Sequence, residues 1–192
     1  AERVAAAARW YARDDQVPRR FGRWGTSESG GTPGSGWFTQ AEHDLELAEI
    51  AAAAGRHEWA CFAAQQAAEK AIKALHPHLG QVVWGHAVTR LLEELPLVVP
   101  EALRDAARRV DAYYITSRHP DAFVEGPPAR YFGPRQSEEA IGYARAILEF
   151  VRTQMADREE ILRAVANWAR ELRVPGLLAV GIFGSYARGD WG

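Results

Sequence analysis

Apolar residues recur at helical spacing along most of this chain, and one stretch shows two faces at once. At 100° per residue, Cys61, Ala64, Ala68, Ala71, Ile72 and Leu75 fall on one side of a helix over 58–79. Trp59, Phe62, Gln66, Glu69, Lys70 and Lys73 fall on the other side. Ala63, Ala67 and Ala74 fill a flank where a second helix can approach closely. That is the pattern of a central bundle helix. Ahead of it, Phe38, Ala41, Leu45, Ala48 and Ala52 predict a helix over 37–54 that stops at Gly55, and a tight turn through Gly55 and Arg56 makes the two antiparallel. A short helix follows, with Ala87, Val88, Leu91, Leu92 and Leu95 at core spacing. Next comes one over 100–115 with Pro100 at its first position. The last bundle helix is expected to open on Ser137 as N-cap and to bury Ile141, Ala144, Leu148 and Val151. The pattern as a whole predicts an all-α, up-and-down bundle of about five helices over 37–153.

Both ends of the chain change character. Residues 1–36 run from an Ala/Arg-rich arm, with Arg19, Arg20 and Arg23 at its end, into a Gly/Ser/Thr stretch over 25–36 that reads as a flexible linker. The arm is expected to be a frayed terminus or a docked helix, with an RNA-binding arm as the alternative. Beyond the bundle, Asp157 and Glu160 have the spacing of a capping box. They predict a separate helix carrying Ile161, Leu162, Val165, Trp168, Ala169 and Leu172. After Pro175-Gly176, the apolar run 177–183 reads as one short buried strand, so 157–192 form a third segment.

Composition narrows the class. With 192 residues, 47% of them hydrophobic, the chain can hold one full domain and part of a second. A formal charge of −2 argues against a chain-wide grip on nucleic acid and leaves only a local patch for that purpose. Cys61 stands alone, no apolar run approaches membrane-spanning length, and a reducing cytoplasm is the expected compartment.

The candidate chemistry gathers on the polar row of the central helix. Gln66, Glu69, Lys70 and Lys73 lie at i, i+3, i+4 and i+7, beside two aromatic rings. Two readings stand: a solvated stripe held by a Glu69–Lys73 pair, or a polar groove facing a partner. His86 either caps the short helix or points into that groove. In the corner Ser117-Arg118-His119-Pro120-Asp121, the proline blocks helix continuation, and an Arg118–Asp121 clamp is the minimum role expected. The loop 122–135, with three prolines and with Arg130, Tyr131 and Phe132, reads as a lid. His76 and His78 beside Pro77 fall short of a metal site, and none is expected.

Three blocks together carry a resemblance. The run AAxQAAEKAIKAL, then Gly85-His86 before an apolar helix, then Tyr113-Tyr114 followed by Ser117-Arg118-His119-Pro120-Asp121, resembles the HEPN domain family over about 37–152. The resemblance implies a helical bundle that usually dimerises. The family includes RNA-cutting toxins, nucleotide-binding modules and partners of minimal nucleotidyltransferases. It also implies that the Arg118 corner sits near the polar face of the central helix. Gln66, Glu69, Lys70, Lys73, His86, Tyr114, Arg118 and Asp121 thereby become candidates for holding a phosphate or nucleotide. The RNA-cutting members carry an arginine followed, after roughly four to six residues, by a histidine. No arginine here has that spacing, since His57 and His119 directly follow Arg56 and Arg118. A ribonuclease is therefore the disfavoured alternative to a binding and regulatory module of a toxin–antitoxin-like pair.

A second resemblance concerns the end of the sequence. Helix, strand and then Gly184-Ser185-Tyr186-Ala187-Arg188-Gly189-Asp190 is similar to the opening of a minimal nucleotidyltransferase domain. The resemblance implies that backbone N–H groups at Gly184 and Ser185 approach nucleotide phosphates. It further implies a pair of carboxylates for metal ions, roughly nine to thirteen residues after the turn. Only seven residues follow Ser185, and Asp190 comes too early. No cofactor is therefore expected of this chain, magnesium and a nucleoside triphosphate belonging only to a complete domain. The expected partners are a second copy, a nucleotidyltransferase chain, and nucleotide or RNA, with no membrane. A helical substrate-binding domain of a nucleotidyltransferase is the remaining alternative.

Overall fold

The structure, a computed structural model, describes residues 34–171. Helices α1 (Ser35–Ala53) and α2 (His57–His78) form the expected antiparallel hairpin. Gly55 turns it with φ +69°, a left-handed conformation that glycine adopts without strain. Then come α3 (Val88–Glu93), α4 (Glu101–Asp111), the single-turn α5 (Tyr113–Thr116), a 3-10 turn at Pro128–Arg130, and α6 (Pro134–Glu171). Helix α2 is the axis of the bundle, with α1 and α6 packed along it and α3, α4 and α5 against it as well. Its alanines at 60, 63, 64, 67, 68, 71 and 74 are all buried, which lets its neighbours approach closely. Ile72, Leu75, Leu91, Leu92, Val110, Ile147 and Val151 supply most of the volume of the core.

Four boundaries differ from the sequence pattern. Helix α1 takes Ser35 and Gly36 from the stretch read as linker. Its N-cap Gly34 has φ +88°, and a Cβ there would lie 2.1 Å from the Ala74 carbonyl oxygen, so this end of α1 rests directly on the α2 backbone. The helix expected over 100–115 is divided at Ala112 into α4 and α5, with Pro100 standing just before it rather than inside. Helix α6 starts at Pro134, not at a Ser137 cap, because the missing N–H and fixed φ of proline suit a first helical position. Ser137 lies inside the first turn, buried, with its O–H donating to the Pro134 carbonyl. Finally, α6 runs unbroken for 38 residues through Asp157, so no separate helix opens at the Asp157–Glu160 capping box. Residues 153–160 contain neither glycine nor proline, and a capping signal cannot start a helix where nothing has stopped the preceding one.

No strand occurs among the described residues. The expected strand over 177–183, the Gly184-Ser185 turn, Asp190 and the arm over 1–33 lie outside them. No helix among the described residues is long and apolar enough to cross a membrane.

Candidate functional site

Glu69 is the hub of the polar row on α2. Only 3% exposed, it accepts hydrogen bonds at both carboxylate oxygens. Lys73 Nζ, 2.8 Å away, and His86 Nδ1, 3.0 Å away, meet Oε1. The side-chain amides of Gln65 and Gln66 meet Oε2 at 3.2 and 3.3 Å. A buried carboxylate needs such satisfaction, and an adjacent ammonium lowers the cost of its charge. Gln65, fully buried, also donates to the His86 carbonyl at 3.1 Å, which ties the 80–87 loop down onto α2.

On the α1 side, Lys70 donates to Asp44, whose other oxygen accepts from Gln40 at 2.9 Å. The Lys73 ammonium lies 5.7 Å from the centre of the Trp37 ring, itself 45% exposed. Toward α5 the site becomes aromatic. The His86 ring stacks on Tyr114 at 5.3 Å with an interplanar angle of 12°, and Phe62 lies between Tyr114 and Trp59 at 6.5 and 6.2 Å. Arg118 lays its guanidinium over both Tyr114 and Phe62, at 4.4 and 4.9 Å from the ring centres, while its Nε donates to the Tyr114 carbonyl at 2.8 Å. The result is a half-open surface with charge at one end and rings at the other.

Six of the eight bundle residues expected from the sequence are thus joined, Gln66, Glu69, Lys73, His86, Tyr114 and Arg118, while Lys70 stands on the same helix in a separate pair with Asp44. The Glu69–Lys73 pair is present, and His86 points into the groove rather than capping α3. That cap comes from Asp111, whose two oxygens accept from the backbone N–H groups of Val88 and Thr89 at 2.6 and 2.9 Å. The Arg118–Asp121 clamp is not formed. Asp121 is exposed and makes no ion pair among the described residues, because stacking over two rings and the Tyr114 carbonyl turns the arginine back toward α2. The loop expected to be a lid is closed on itself: Phe123 stacks on Tyr131 at 4.0 Å, and Phe132 meets Tyr113 edge-on at 5.9 Å. Both nitrogens of His76 are engaged, Nε2 with the Leu91 carbonyl and Nδ1 with the Gln81 side-chain amide, each at 3.0 Å. No group of His, Cys, Asp and Glu among the described residues could hold a metal ion. Burial, reinforced by the Glu58 charge, pushes the Cys61 thiol up to about 12, which leaves it unreactive.

Asp44, Gln65 and Trp37 were missed by the sequence reading. A signal for the first two exists. Asp44 sits three residues after Ala41 and four before Ala48, and Gln65 sits four after Cys61 and three before Ala68, so each interrupts an apolar stripe with a polar side chain.

Comparison with known proteins fits this architecture. A family model described as the HEPN domain matches residues 35–154, which span the hairpin, the polar row and most of α6. The chain belongs to the HEPN domain family. Among solved structures, this HEPN chain is similar to TT1696 from Thermus thermophilus, with 46% sequence identity and a TM-score of 0.63, covering 64% of this chain and 98% of that one. It is similar to ST0689, an archaeal HEPN homologue, at 38% identity and a TM-score of 0.57, covering 65% and 99%. An HEPN domain protein from Thermotoga maritima matches at 32% identity and a TM-score of 0.53, covering 63% and 98%. A search of curated protein sequences finds no match.

Proposed function

We propose that this HEPN chain is a binding and regulatory module of a HEPN/nucleotidyltransferase pair of the toxin–antitoxin type. It acts as a homodimer and holds a nucleotide or RNA phosphate on the polar face of α2. One observation carries the reading. Arg118 is fixed over Phe62 and Tyr114 with no carboxylate partner among the described residues, so its terminal N–H groups are positioned to bind an oxyanion. The 51% exposed Trp59, edge-on to Phe62, supplies a surface on which a base can stack, an interaction worth about 1–3 kcal/mol per base. The test is equilibrium binding of adenosine phosphates to the full chain and to Arg118→Gln. At least a tenfold loss is expected in the variant; equal binding by both proteins counts against the reading. A ribonuclease is disfavoured by the arginine–histidine spacing, and purified protein is expected not to cut RNA. Cutting that disappears in His119→Ala would reverse that choice. The unbroken run of α6 to Glu171 favours one further reading, a helical substrate-binding domain of a nucleotidyltransferase.

A further inference from the structure

The cations of the site are not equally available. Lys70 is bonded to Asp44, and Lys73 to Glu69, whose burial holds the pair together. Each ammonium is thus matched by a carboxylate that no other cation neutralises, apart from the His86 ring shared at Glu69 Oε1. The His86 Nδ1 meets that same oxygen at 3.0 Å, so Glu69 Oε1 is shared between Lys73 and the ring. Among the lysines, the arginine and the two carboxylates of the site, one positive charge is left without a carboxylate, and it sits on Arg118. A surface with one uncompensated cation beside aromatic rings favours a base joined to one negative charge. Each additional charge on a ligand would approach Asp44 and Glu69 without a cation to meet it.

We infer that, of the nucleotides the proposed function admits, this site selects those with a singly ionised phosphodiester over those with a polyphosphate. The inference rests on the nucleotide reading of the same site. Lys70 and Lys73 then serve as positioning residues: Lys70 holds α1 against α2 through Asp44, Lys73 holds the Glu69 carboxylate that meets His86, and Arg118 carries the anion. Specificity against triphosphates is set by the two carboxylates.

The test keeps the base constant. Adenosine 3′,5′-cyclic monophosphate, AMP and ATP carry about one, two and four negative charges near neutral pH. Their affinities for the full chain are compared by calorimetry in buffer with a chelator and no divalent metal. The cyclic nucleotide is expected to bind tightest, and ATP at least about tenfold more weakly. Asp44→Asn keeps an acceptor for Gln40 but frees the Lys70 ammonium, so it should narrow that gap about tenfold by raising the affinity for ATP. Unchanged thermal unfolding would show that the variant is folded. ATP binding as tightly as the cyclic nucleotide, or a gap that Asp44→Asn leaves untouched, overturns the selectivity and leaves the nucleotide reading standing. If none of the three nucleotides binds, both fall together.

Discussion

Single residues in this bundle act through partners that local spacing does not reveal. Asp111 caps α3 from a position 22 and 23 residues away in sequence. Replacing it with alanine leaves two N–H groups at the helix start without their acceptor and is expected to cost about 1 kcal/mol, read as a lower urea midpoint. Asp44 and Gln65 were within reach of a closer reading, since each is a polar residue inside an apolar stripe, but the Asp44 bond to Lys70 and the Gln65 bond to the His86 carbonyl follow only from the assembled fold. His76 gives a pH dependence. Burial, outweighing its bonds to Leu91 and Gln81, lowers its pKa below the ordinary 6.5, so the unfolded chain binds a proton more readily than the folded one. The stability due to neutral His76 is therefore present above the unfolded value and is lost as pH falls through it. Urea midpoints at about pH 7.5 and 5.5 should drop on acidification, and the drop should be smaller in His76→Gln. An identical drop in both proteins would place the effect elsewhere.

Among the elements, α1 and α2 were legible because apolar periodicity and Gly55 agree on the hairpin and its turn. The start of α6 was not, since Ser137 carries a capping signal that is outcompeted by Pro134 three residues earlier. The Arg118 corner was half legible: its place beside the polar face of α2 was anticipated and the Asp121 partner was not found, because a nearby opposite charge is visible in sequence and the packing of Arg118 over Phe62 is not. The continuity of α6 has a direct test. If Asp157 lies inside a helix, Asp157→Pro should disrupt that turn at a local cost of about 3 kcal/mol and open a protease-sensitive site there, while the bundle stays folded. If Asp157 were instead the cap of a new helix, the same change would be mild. Limited proteolysis followed by mass mapping separates the two.

For the whole molecule, the central question is what covers its remaining apolar surface. The alanines of α2 are consumed inside the bundle. Leu47 and Ile50 on α1 remain 56% and 66% exposed, and they are the expected centre of an isologous interface. Sedimentation at tens of micromolar should give a dimer for the native chain and a monomer for the Leu47→Glu, Ile50→Glu double variant, a concentration chosen as an order of magnitude for a specific interface. The distribution of cations has a further consequence. Of 23 lysines and arginines, only Lys70 and Lys73 are lysines, and both lie within the axial helix. An endoprotease specific for lysine can therefore cut this chain only where α2 has come apart, so its cleavage rate measures opening of the bundle and passes over fraying at either end.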